Sequence, residues 1–317
     1  MDINPEIISL INEIKEDKVH GASELARQAA EALRITAELS QAKNADRFLQ
    51  ELKEAGGQLK LIRPAMASVF NIITVLLDRV TAKAGDVTVD SLRRAVVSEV
   101  EAAIYDSLGA VTRIAKHGAG QINDGDKIIT HSYSSTVVTM LETTFAKRSN
   151  IDVIVIRSGT GRSGEALATQ LSEGGIPVTF IDDAAMGLYM PIVNKVVVGA
   201  DRICVDGSLI NGIGTYPLAV MAQRFGLPFY VLCETLKFDL GLKGGEVDLE
   251  EKDPAEVAAP GVLPPEVKVK NTYFDITSSE LIAGVITENG LFTSEEVIIH
   301  MEQLKKATQG IPEPESL

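Results

Sequence analysis

The 317-residue sequence has no tryptophan, two cysteines and four histidines, and only 5% of it is aromatic. Cys204 and Cys233 are too few for a disulfide framework, and their spacing forms no metal motif. His20, His117, His131 and His300 are scattered, with no His-x-x-x-His among them. No stretch approaches the ~20 uninterrupted apolar residues of a spanning helix. The opening MDINPEIISLINEIKED lacks the basic and apolar regions of a secretory signal. Basic residues are also short, 30 against 44 acidic, for a net charge of −14. That balance excludes a nucleic-acid binder held by phosphate neutralisation and disfavours docking on anionic lipid. A reduced, cytoplasmic globular protein is expected, with no metal, no cofactor, no membrane and no direct nucleic-acid partner.

What is present divides into two styles. Over the first ~118 residues, segments such as ASELARQAAEALRITAELSQA, NADRFLQELKEAG and PAMASVFNIITVLLDRVTAKA carry apolar residues at helical spacing. A further helix runs from Ser91 to the glycines Gly118 and Gly120. From Gly125 the pattern changes to short β-branched runs at 127–132, 152–157, 177–182, 195–200, 228–234 and 283–288, separated by amphipathic helices. This alternation predicts an α/β protein. An N-terminal helical domain, residues 1–120, is followed by a Rossmann-like, doubly wound, mostly parallel sheet domain, residues 121–317. The acidic segment from Glu246, EVDLEEKDPAEVAAPGVLPPEVK, reads as an exposed excursion between two strands.

Ligands of such sheets bind beyond the carboxyl ends of the strands. The first strand ends in Thr130-His131-Ser132-Tyr133-Ser134-Ser135 and runs into a helix. That arrangement suits a phosphate at the helix N-terminus, or Ser134 or Ser135 as a plain cap. After the second strand comes Arg157-Ser158-Gly159-Thr160-Gly161-Arg162-Ser163-Gly164, a G-x-G-x-x-G match with Asp182 closing the next strand. It fits a dinucleotide, a compact phosphate held by Arg157 and Arg162, or a turn with solvated arginines. Asp201 follows the fourth strand, where desolvation would suit it to proton transfer, unless it merely caps a loop. Lys237, past the fifth strand, either reaches back to a phosphate or is solvated.

Together these tips carry a resemblance. The order H-S-Y-S, GADRICVDGSLINGIGTYPLAVMA and CETLKF, with HGASELARQAAEAL and Leu61-Ile62-Arg63-Pro64-Ala65-Met66-Ala67, is similar to the initiation factor 2B superfamily. That superfamily comprises the alpha, beta and delta subunits of eukaryotic initiation factor 2B, archaeal ribose 1,5-bisphosphate isomerase and methylthioribose 1-phosphate isomerase. The resemblance makes Asp201 the catalytic aspartate and puts Ser132 at the isomerases' cysteine. Gly21, Ala22, Ser23, Arg63, Asn211, Gly212 and Lys237 fall at ligand-binding positions, beside Ser134, Ser135, Arg157, Gly159 and Arg162 from the strand tips. Gly212 replaces the lysine of the family's Asn-Lys pair.

Serine is a far weaker acid than cysteine, whose reference pKa is ~8.5. The sequence therefore predicts a pocket that kept its anion-binding pieces and lost half of a proton-transfer pair. The leading expectation is an archaeal, alpha-subunit-type regulatory protein with little catalysis. It would bind a phosphorylated sugar or nucleotide, form a homo-dimer or larger homo-oligomer, and contact an initiation factor 2 subunit. The alternatives are a ribose 1,5-bisphosphate isomerase and, behind it, an NAD-dependent dehydrogenase. Four basic side chains, Arg63, Arg157, Arg162 and Lys237, are expected to form a small basic pocket in an otherwise acidic protein.

Overall fold

The structure is a computed structural model and describes residues 4–85, 87–148, 150–159 and 163–309. Five helices come first: α1 (Pro5–Glu16), α2 (Ala22–Leu39), α3 (Ala45–Leu59), α4 (Ala67–Ala82) and α5 (Val89–Ala119). Asn4, Asn44 and Thr88 cap α1, α3 and α5, their side-chain oxygens accepting the N–H groups of Glu6, Arg47 and Ser91. Alanine-rich α2 takes the centre because Ala26, Ala29, Ala30 and Ala37 bring its neighbours close. Its N-cap is Gly21, which offers no capping side chain. The first N–H groups of α2 therefore stay open to an outside acceptor.

Helix α5 belongs to both halves of the molecule. Leu92, Val96 and Val100 join the core of the helical region, whereas Ile114 and Ala115 pack beneath the sheet. The α/β part then runs β1 (Lys127–His131), α6 (Ser135–Arg148), β2 (Asp152–Ile156), α7 (Ser163–Glu173), β3 (Val178–Ile181), α8 (Met186–Tyr189) and β4 (Lys195–Val198). It continues as β5 (Arg202–Ile203), β6 (Leu209–Gly212), α9 (Thr215–Phe225), β7 (Phe229–Leu232), β8 (Phe274–Thr277), β9 (Gly284–Thr287), β10 (Gly290–Phe292) and α10 (Ser294–Gln309). All six strands expected from β-branched runs form. Every residue of β4 and β9 is buried, as central parallel strands require.

The main sheet has the order β10-β9-β7-β4-β1-β2-β3, and only β10 is antiparallel to its neighbour. The chain steps outward from β1 to β3, then returns to the other side of β1 with β4. Ligands of open α/β sheets bind at such a reversal. A second, antiparallel sheet, β5-β6-β8, was legible only as a hairpin-like turn after Asp201. Its Ile210 and Phe274, with Cys204 and Val247, enter the core of the helical region. The excursion needs correction. Residues 257–268 are mainly exposed, but Val247 and Glu250 are buried, 8% and 7% exposed.

Candidate active site

The reversal between β1 and β4 places Ser132 and Asp201 at neighbouring strand ends, and both line one cavity with Gly21, Arg63 and Gly212. Ser132 has φ +63°, and its N–H donates to Ser158 Oγ at 2.7 Å. Ser158, at φ +69°, in turn donates its hydroxyl to Ile156 O at 3.0 Å. Two left-handed serines at adjacent strand ends thus fix each other. Such backbone is costly outside glycine and gathers at functional sites.

Asp201 is held at both ends of its peptide. Its N–H donates to Ile210 O at 3.0 Å, and its carbonyl accepts the Ala67 N–H at 3.2 Å. The half-buried residue lines the cavity. Desolvation raises its pKa to about 6, while Lys237 and Arg63 pull it down and Glu250 pushes it up.

Arg63 is buried, with Nη1 donating to Asp17 O at 3.1 Å and Nε 3.4 Å from Glu250 Oε2. Glu250 also accepts the Ala65 N–H at 3.1 Å and pairs with Lys252 at 2.9 Å. Arg202 holds the same loop from the other side, through Pro64 O and Ala65 O, and pairs with Asp239. The short segment before α2 forms the rim. Lys18 there pairs with Glu256, and His20 Nδ1 lies 2.8 Å from Asp17. Glu256 also accepts from Tyr273 and Asn271, which line the cavity with Asp17, Lys18, His20 and Ser163.

Other expected site residues take different duties. Ala22 sits in the first turn of α2, and Ser23 turns its hydroxyl to the buried Glu234, which Ser107 also bonds at 2.9 Å. Lys237, 3% exposed, approaches the cavity only through its field on Asp201. Ser134 is a cap, its Oγ accepting the Val137 N–H at 3.4 Å, and Ser135 opens α6. Asn211 donates to Thr215 Oγ1 at 3.0 Å. A side chain on Gly212 would begin 2.9 Å from Ser132 Oγ, so a lysine does not fit there beside this serine.

Carboxylates meet backbone N–H groups at the start of α9 and at Gly159 of the glycine loop. At the start of α9, Asp275 Oδ2 accepts the N–H groups of Gly214 and Tyr216 at 2.8 and 3.0 Å. Burial raises that carboxyl to about 6. In the glycine loop, the Gly159 N–H points to Asp183 at 3.2 Å, and the exposed Arg157 pairs with Asp182 at 3.7 Å. A negative charge therefore occupies the amide that a pyrophosphate would need. Thr160, Gly161 and Arg162 lie outside the described residues.

His131, also lining the cavity, is 1% exposed and makes no well-formed hydrogen bond from either ring nitrogen. Burial lowers its pKa to about 4, against the opposing pull of Asp183, whose Oδ1 is 4.0 Å from Nε2. It stays neutral at pH 7. Gly214, at φ +106°, leaves room for this ring, since a Cβ there would meet Nε2 at 2.5 Å. Among the described residues no group of three or more His, Cys, Asp or Glu is placed to hold a metal, and no helix is long and apolar enough to cross a membrane.

Residues 18–294 match the Initiation factor 2 subunit family. The chain belongs to that family. Within it, the chain is 36% identical to ribose 1,5-bisphosphate isomerase of Pyrococcus furiosus over 291 residues, 90% of each chain. Among solved structures it resembles translation initiation factor eIF-2B of Pyrococcus horikoshii, with TM-score 0.80, 32% identity, and 93% and 99% of the two chains covered. It also resembles 5-methylthioribose 1-phosphate isomerase of the same organism, with TM-score 0.77, 28% identity, and 96% and 87% covered.

These likenesses overturn the expectation of a regulatory subunit with little catalysis. Six relatives at 33–36% identity carry the name ribose 1,5-bisphosphate isomerase. Ser132 drove the regulatory expectation, but exchanging one weak acid for a weaker one lowers a proton-transfer rate without removing the other partner. The rim residues Lys18 and Asp17 and the clamp Glu250 escaped sequence reading. His20 alone had a signal, since it opens the HGASELARQ motif.

Proposed function

We propose that this chain is an aldose–ketose isomerase that converts ribose 1,5-bisphosphate to ribulose 1,5-bisphosphate. The observation that carries the reading is Asp201 facing Ser132 across one cavity at the sheet's reversal, with Arg63 in the wall. The reaction needs no outside oxidant. The bond from C1 to the ring oxygen opens and that oxygen gains a proton. C2 loses its hydrogen, C1 gains one, and the C2 hydroxyl becomes the carbonyl.

A carboxyl with a pKa of about 6 can both give and take protons near neutrality, so Asp201 suits the acid–base role. Ser132, at the adjacent strand end, orients a hydroxyl of the sugar or a water rather than acting as a strong acid. The open N–H groups at the start of α2, Gly21 to Ser23, with Arg63, hold phosphate. The chain is further proposed to self-associate through its α/β half, where Leu188 and Ile192 are 81% and 52% exposed. Light scattering checks that part.

The test is an assay with purified protein and ribose 1,5-bisphosphate in D₂O. Formation of ribulose 1,5-bisphosphate carrying solvent deuterium at C1, at ~1 per second or faster, is expected. No product above the rate of the Asp201→Asn variant would refute the reading.

A further inference from the structure

Among the described residues, which do not include Arg162, the cations expected to form a basic pocket are met by carboxylates. Arg63 faces Glu250, Lys18 is paired with Glu256, Lys252 reaches Glu250 at 2.9 Å, and Lys237 acts on Asp201. Lys18, Arg63, Asp17 and Asp201 line the cavity, and Lys237, Lys252, Glu250 and Glu256 act on them from behind. These four cations are thus met by four carboxylates, Asp17 also holding His20. A phosphate monoester, carrying roughly −1.5 to −2 at pH 7, meets no surplus of positive charge among these residues. It binds them by exchange, its oxygens taking cations away from their carboxylates.

The displaced carboxylates do not share one fate. Glu256 and Asp17 have side chains 21% and 18% exposed and can turn to water at the rim. Asp201 cannot. The groups acting on it are Lys237 from the turn after β7, Arg63 from the loop before α4 and Glu250 from the excursion, with the Cys233 thiol behind. Its one open side is the cavity that the ligand fills. A carboxylate that loses its cations and its water takes up a proton.

We propose that a phosphate ester enters this pocket by taking the cations from their carboxylates, and that Asp201 binds a proton as the ester arrives. The inference rests on the isomerase reading for the use of that proton, which is the one ring opening delivers to the ring oxygen. The ligand's charge would load the acid that its own chemistry consumes. The empty pocket already leans this way, with the Asp201 carboxyl at about 6.

Calorimetric titration of the full chain at pH 7.5, in buffers of different ionisation enthalpy, counts the protons taken up. The probes are ribulose 1,5-bisphosphate and inorganic phosphate, each run on native protein and on Asp201→Asn, so that protons exchanged by the probe itself cancel. Native protein should take up about half to one proton more than the variant. At pH 8 Asp201→Asn should bind about 25- to 100-fold more tightly than native, a gap that closes by pH 5. An infrared difference spectrum of native protein alone should gain a protonated-carboxyl band on binding, which keeps the test open if the variant misfolds.

Equal proton uptake, no added carboxyl band, or no tighter binding by the variant at pH 8 overturns the proposal, as does failure of both probes to bind. If phosphate binds with the uptake and ribulose 1,5-bisphosphate does not bind, the isomerase reading fails and the exchange stands. If both bind without it, the exchange fails alone.

Discussion

Two strand tips of this protein use the same residue types to opposite ends. Beyond β1 and β4, half-buried Ser132 and Asp201 line one cavity with Arg63, which is buried against Glu250. Beyond β2, Arg157 and Asp182 meet at 3.7 Å with side chains 54% and 63% exposed. Water screens the second pair, and such exposed pairs contribute only ~0–1 kcal/mol. In the first cluster each charge is priced by its neighbours, because desolvation leaves no other partner. The glycine loop has the more recognisable sequence, while the proposed chemistry sits where the sheet reverses.

The sharpest way to break this contrast is Asp201→Asn, expected to cut isomerisation by ~10²–10⁴-fold, the range for losing an acid–base group. Steady-state kinetics on ribose 1,5-bisphosphate decides it. Next is Arg63→Ala, which leaves Glu250 with one cation fewer below the surface. It should cost about 3–5 kcal/mol in denaturant unfolding. Arg157→Ala at the exposed tip should stay within about 0.5 kcal/mol. Equal costs at the two arginines would erase the distinction between the tips.

The pH dependence of stability has a worked sign. Asp201 and Asp275 have folded pKa values of about 6 against an ordinary value of 3.8. Both are more readily protonated when folded, so their contribution is complete below ~4 and is lost as pH rises through 6. His131 runs the other way, its stabilising contribution lost as pH falls from 6.5 to about 4. Asp201→Asn should therefore be more stable than native at pH 8, by up to about 3 kcal/mol, and lose that advantage by pH 4. Thermal melts across that range check it.

Ligand choice gives a smaller effect. Ribose 1,5-bisphosphate at a hundred times its Kd should add about 2.7 kcal/mol of stability, and NAD none, since the Gly159 amide is already bonded to Asp183. A comparable shift with NAD would restore the dinucleotide alternative. The last change is Ser132→Cys, expected to raise turnover by about tenfold, because a thiol, with a reference pKa of ~8.5, is a far stronger acid than a hydroxyl.

Much of this was visible in the sequence for a physical reason. Central parallel strands are buried on both faces, so 152–156 and 195–198 stand out as β-branched runs, and Asp201 is marked by following one of them. The small second sheet was harder. Strand β8 is four residues of mixed burial, and its pairing with β6 joins positions more than sixty residues apart. Glu250 was illegible for a different reason. In VDLEEKD it looks like any solvated acid, and only tertiary packing against Arg63 removes it from water. The charge balance of the cavity was hidden likewise, because cations can be counted along a chain but their partners cannot.

Helix α5 has a consequence for how the molecule comes apart. Its 31 residues make a rod about 46 Å long, one end sunk in the helical core and the other beneath the sheet. Melting either core would fray the same rod and expose the apolar stripe on which the other core rests. Amide exchange along α5 should then proceed as one slow, cooperative event rather than in two steps. The two halves, so different in composition, would stand or fall together.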